Sequence, residues 1–239
     1  MSTFPGGTSL SFLDVYTSAA PDGICSGSPH MHTASTECYI AVGGRGQLHS
    51  LTSEGYRETD LEPGRIAWFT PGTIHRAVNL DSAQLVVLMS NAGLPEAGDA
   101  VMTFPAEHLA SPEAYRAAAA LPADGTEEEI AAAAERRRDL AVQGYLVIRD
   151  ALLAGDEAPL REFRERAAEI VADRVASWNG IVESGPLAQA QNTMEILAKM
   201  TSGDASHLED AFVAGDLEPA RKFGMCGRLR AYDVAAFTR

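Results

Sequence analysis

The sequence predicts a mainly β N-terminal half followed by an α-helical C-terminal extension, and three observations carry that prediction. Up to Phe104, short runs of strand-forming residues are separated by glycine and Pro-Gly turns. Beyond Phe104 the chain becomes alanine-rich, with clear helix starts. Pro105 and the Ser111-Pro112 pair mark a short joint between the two patterns, so the expected division is 8–104 and 105–239.

Taken in order, the first informative strand carries His30-Met31-His32. Thr33 to Thr36 is a polar turn, and Glu37-Cys38-Tyr39-Ile40-Ala41-Val42 is a second strand that stops at Gly43-Gly44. Gly46 turns the chain into a strand that holds His49. Ile66-Ala67-Trp68-Phe69 is another strand, the Pro71-Gly72 pair a turn, and a further strand starts near His75. In the second half, Ser111 caps a helix over 112–120 with Pro112 in its first turn, and Thr126-Glu127-Glu128-Glu129 is a capping box opening a helix over 127–153. Helices over 157–177 and 187–200 follow, with shorter pieces after Ser206. In the third, Leu160, Phe163, Ala167, Ile170, Val171 and Val175 recur at three- and four-residue steps, so one face of that helix is expected to be buried.

Side chains two apart in a strand share a face, so His30 and His32 look the same way while Met31 looks the other. Glu37 returns from the adjacent strand, and His75 from the second Gly-rich segment supplies a fourth group. Three imidazoles and a carboxylate are a donor set for a divalent first-row metal. His30, His32, Glu37 and His75 are therefore the expected ligands, and no other histidine has such partners. His49, His108 and His207 are read as ordinary surface or hydrogen-bonded residues, although His49 could face the cavity.

The two segments resemble the paired motifs of the cupin superfamily. The first motif runs Gly, five residues, His-x-His, three or four residues, Glu, six residues, Gly. Here His30, His32, Glu37 and Gly44 keep those offsets, while the leading glycine, Gly23, stands one residue too far away. The second runs Gly, five residues, Pro-x-Gly, two residues, His, three residues, Asn. Gly64, Gly72, His75 and Asn79 keep it, with Pro71 directly before Gly72. The resemblance covers residues 8–104 and implies an antiparallel jelly-roll barrel around one divalent transition metal, among iron, manganese, nickel, copper and zinc. It also implies a homodimer paired through strand edges. It does not select a reaction, because one fold hosts many chemistries.

The formal charge is −14. Residues 1–104 hold ten acids against four bases, and 105–239 hold 23 against 15, so neither half offers the basic surface that gripping nucleic-acid phosphates requires. Arg136-Arg137-Arg138 lies among Glu127, Glu128, Glu129, Glu135 and Asp139, as on a solvated helix face. No apolar run approaches membrane length, the first ten residues are not a leader, and Cys25, Cys38 and Cys226 form no disulfide or zinc pattern. These features suit a cytoplasmic protein with a small-molecule substrate and no nucleic-acid or membrane partner.

An open metal position would serve a dioxygenase acting on an enediol or phenol, a sugar isomerase or epimerase, or a protein that only binds or senses a small ligand. Parity turns Tyr39, Ala77 and Asn79 inward, and one of Trp68 and Phe69 must follow. Tyr39, Trp68, Phe69 and Asn79 are the expected substrate lining, which suits a flat, partly aromatic or enediol-type molecule. Both lysines, Lys199 and Lys222, lie in the helical half, which leaves the barrel poor in phosphate-holding groups. Dioxygenase is the first expectation. In that reading resemblance to flavonol-cleaving cupins implies that Glu37 also relays a proton.

Overall fold

The computed structural model describes residues 4–215 and 218–234. Nine strands form the antiparallel framework: β1 (Ser9–Val15), β2 (His30–His32), β3 (Glu37–Thr52), β4 (Gly55–Leu61), β5 (Ile66–Phe69), β6 (Ile74–Met89), β7 (Ala100–Met102), β8 (Lys222–Phe223) and β9 (Gly227–Tyr232). The sheet order is β4-β3-β6-β1-β9-β8, with β2 joining β6 to β7 and β5 attached to β3. Two long strands, β3 and β6, pair along nearly their whole lengths and bend together near Gly43 to Gly46, where the register shifts. Gly44, the closing glycine of the first motif, sits at this bend with φ +62°, and a Cβ there would lie 2.2 Å from the Asp81 carbonyl oxygen. Only glycine fits.

Alternation along the strands sorts the apolar residues into two cores. Leu13, Tyr39, Leu48, Phe69, Leu85 and Val87 fill the barrel interior. On the opposite faces, Met31, Leu51, Ile74 and Val101 pack outward against the helical layer, among Tyr145, Ile148, Phe163 and Ile170. That layer consists of α1 (Pro112–Ala119), α2 (Glu127–Leu153), α3 (Ala158–Val171), α4 (Val175–Val182) and α5 (Ala188–Thr201). The helices buttress one side of the barrel. Ser111 caps α1 and the Thr126/Glu129 capping box opens α2, as the sequence indicates.

Two expectations need correction. The helix expected over 157–177 ends at Val171, and a separate α4 continues to Val182. A π-helical turn at Glu183–Leu187, containing Gly185 and Pro186, then leads into α5. The C-terminal extension is also not wholly helical. After α5 the chain returns to the barrel, and β9 pairs with β1 from Leu10↔Tyr232 to Val15↔Gly227, so residues beyond 104 complete the sheet. Among the described residues, no helix is long and apolar enough to cross a membrane.

Candidate metal centre

His30 and His32 leave β2 on one face, His75 stands opposite His30 on β6, and Glu37 enters from the start of β3. One donor atom from each lies within 4.8 Å of the others, and all four side chains are buried. Among the described residues this is the one group of His, Cys, Asp or Glu side chains so disposed. The structure thus brings together the four residues expected as ligands.

Each imidazole is held from behind. His30 Nδ1 donates to the Ser28 carbonyl at 2.9 Å, His75 Nδ1 to the Thr73 carbonyl at 3.2 Å and His32 Nδ1 to Asp99 Oδ1 at 2.7 Å. With every Nδ1 occupied as a donor, the neutral rings present bare Nε2 lone pairs to the centre. There, His32 Nε2 and His75 Nε2 each lie 3.1 Å from Glu37 Oε2. Glu37 Oε2 and His75 Nε2 nevertheless make no hydrogen bond, although both are buried. Acceptors facing acceptors at that distance repel unless a cation or a proton sits between them, so the donor set fits a divalent metal.

Without a metal, protons answer part of this demand. Burial alone would lower the His32 pKa, but the two carboxylates flanking it, Asp99 hydrogen-bonded at Nδ1 and Glu37 beside Nε2, outweigh burial and raise it to about 9. Burial would raise that of Glu37, yet His75 and His32 hold it far below the usual carboxylate range. His30, lacking an acidic neighbour behind it, is driven well below its ordinary value by burial, and by His75 and His32 beside it. Asp99 is itself held down by His32 against the effect of burial, and its second oxygen accepts from the Ser35 backbone N–H at 2.9 Å.

The remaining expected residues divide. Phe69 packs against the cluster, its ring 4.2 Å from that of His75, and Tyr39 lies at 6.2 Å with its hydroxyl 3.9 Å from Cys226 Sγ. Trp68 does not line the space around the cluster. It points from the opposite face of β5 and is 67 % exposed. Asn79 faces inward, but its amide is consumed structurally, donating to the Val15 carbonyl at 2.8 Å and accepting from the Ala83 N–H at 3.1 Å, which pins the bend of β6. His49 pairs with Arg76 on the outer face and bonds Gln47 and Tyr56, away from the centre. Arg76 points out of the barrel as parity requires, yet it is fully buried beneath the helices and held by Asp22 and Ser26. Sequence reasoning missed Asp99 and Cys226. Asp99 lies 67 residues from His32 in an irregular loop, and Cys226 reaches His30 only because β9 returns to the barrel.

Residues 17–91 match the family described as Cupin domain. This stretch is a cupin domain. Solved structures with a similar barrel include an uncharacterised double-stranded β-helix protein from Klebsiella pneumoniae (20 % identity over 38 % of this chain and 70 % of that one, TM-score 0.29). A Cupin 2 conserved barrel protein from Salinispora arenicola is 19 % identical over 39 % of this chain and 71 % of its own, with TM-score 0.28. A TDP-fucose-3,4-ketoisomerase from Campylobacter jejuni is 12 % identical over 34 % of this chain and 58 % of its own, with TM-score 0.29. At these identities and scores the likenesses say nothing of activity. No curated protein matches the chain. The cupin match stops before β7, Asp99, the helices and β9.

Proposed function

We propose that the cupin domain holds one divalent transition metal through His30, His32, Glu37 and His75, and that the protein is a dioxygenase acting on a small, partly aromatic or enediol-type substrate. The observation that carries the metal assignment is the convergence of bare imidazole nitrogens on Glu37 Oε2, two of them at 3.1 Å. A bound redox metal would supply activation of dioxygen and of the substrate's enol or phenol oxygen. The chain's own residues would do the rest. Asp99 and the Ser28 and Thr73 carbonyls fix the imidazole orientations, and in this reading Glu37 would also take the substrate's proton. Phe69, Tyr39 and the surrounding aliphatic core keep bulk water from the centre.

The apolar surroundings support a flat organic substrate over a sugar phosphate. Among the cupin-half arginines, Arg76 is already committed to Asp22, and both lysines lie in the other half. The test is metal analysis of protein purified without added metal, joined to oxygen uptake against a panel of enediols and flavonols. A redox metal with stoichiometric oxygen consumption is expected. Zinc in the site with no oxygen uptake by any metal-reconstituted form would refute the dioxygenase and favour the isomerase or binding alternatives.

A further inference from the structure

The four converging side chains are nearly sealed from solvent, so whatever reaches them must pass through a wall. One cleft shares that wall. It has a volume of about 610 Å3 and opens between β4 and β5, two strands that pair only with β3 among the described residues. Inner-face side chains line it: Leu48 and Ser50 from β3, Arg57 and Thr59 from β4, and Phe69 from β5. Cross-strand register runs His30, His75, Ser50, Arg57 through β2, β6, β3 and β4. At strand spacing, Arg57 therefore stands roughly 10 Å from His75 on the same face. Phe69, which packs on the His75 ring, and Thr73, whose carbonyl holds His75 Nδ1, both line the cleft.

The lining also describes its ligand. Phe69 and Leu48 offer apolar surface inside and Ile66 and Trp68 offer it at the exposed rim, while Ser50, Thr59 and Thr73 offer hydroxyls. Arg57 is the one cation among the lining residues, and Glu54, at the β3–β4 hairpin, the one acid. A diphosphate would need more positive charge than a single guanidinium supplies. We infer that this cleft is the substrate channel to the metal centre, with Phe69 as its inner gate and Arg57 as its outer anion anchor, and that it takes a ring-bearing molecule with a single negative charge. The inference deepens the reading of the metal centre given above and rests on it for the role of the channel.

Two measurements test it, and the first needs no metal. Trp68 stands on the rim of the cleft, whereas Trp178, the other tryptophan, is buried in the helical layer. Titrating metal-free protein with 4-nitrobenzoate should quench tryptophan fluorescence saturably. The signal should vanish in Trp68→Phe, and binding should weaken at least tenfold in Arg57→Ala and for neutral 4-nitrobenzamide. Purely collisional quenching, or unchanged affinity in Arg57→Ala, overturns the anchor and with it the proposal. In the second, zinc-loaded protein is challenged with the chelator 4-(2-pyridylazo)resorcinol. Phe69→Ala should release zinc at least tenfold faster at equal initial metal content, with Phe69→Leu in between; equal rates in all three overturn the gate. A protein that takes up no zinc or other divalent metal refutes the metal centre, while the fluorescence titration still decides the cleft.

Discussion

His32 stands between two carboxylates, Asp99 behind it and Glu37 before it, and this placement sets how the metal-free protein responds to pH. Its pKa is raised by folding, so the stability it contributes is complete below its ordinary value near 6.5 and is lost as pH climbs through about 9. Glu37 has the opposite sign: its pKa is depressed, and its contribution fades as pH falls through the usual carboxylate range. Thermal melts of chelator-treated protein should therefore peak near neutrality or slightly below and decline toward pH 10. Saturating metal should flatten the alkaline decline, because ligation requires the neutral imidazole in any case. A metal-free melting temperature that does not fall between pH 7 and 10 would contradict the protonated His32. Asp99 also orients the ring, so Asp99→Asn should weaken metal affinity roughly 10- to 100-fold in competition titrations, with the fold intact by circular dichroism. The four converging residues were legible in the sequence because strand parity and motif spacing are local rules. Asp99 was not, since a loop carboxylate has no periodicity and its partner is 67 residues away.

Among the elements, α2 depends on two features of different strength. Its capping box is exposed, and Thr126→Ala should cost about 1 kcal/mol. Gly144 sits where the helix crosses the chain beyond β7, and a Cβ there would lie 2.1 Å from the Thr103 carbonyl oxygen. Gly144→Ala should destabilise by about 2 kcal/mol or more despite the better helix propensity of alanine, as read by urea unfolding. Beneath α2, Arg76 is fully buried against Asp22, which lies in the loop between β1 and β2. Asp22→Ala would strand that guanidinium and should cost roughly 3 kcal/mol. The starts of α1 and α2 could be read from the sequence because caps are written in consecutive residues. The break after Val171 could not, because the apolar spacing through Val175 runs on as if the helix did, and tertiary packing decides where it stops.

Over the whole molecule, period-two alternation in β2, β3 and β6 divides the apolar residues into a barrel interior and an outer core beneath the helices. The strand parity that turns His30 and His75 inward turns Met31 and Ile74 outward onto the helices, so the helical layer and the four-residue His/Glu cluster share the same strands. Metal binding should thus stabilise the protein as a unit. Excess metal should raise a single cooperative transition seen equally by tryptophan fluorescence and far-ultraviolet circular dichroism, whereas two separate transitions would mean that helices and barrel unfold independently. The expected homodimer can be tested by light scattering, which should report twice the 25.4 kDa chain mass; a monomer would mean that the edges left by β4 and β8 are not used for pairing.

The place of β9 sets an order of events during synthesis. Met225 O accepts the Ser28 N–H, and Cys226 Sγ lies 3.9 Å from His30 Nδ1, so the wall behind the first ligand is laid down by nearly the last residues described. All four expected ligands leave the ribosome more than a hundred residues before that wall exists, and the helices emerge in between. Until β9 arrives the barrel lacks that wall, so if the proposed metal is bound, the interval before β9 emerges is when the four side chains are least enclosed.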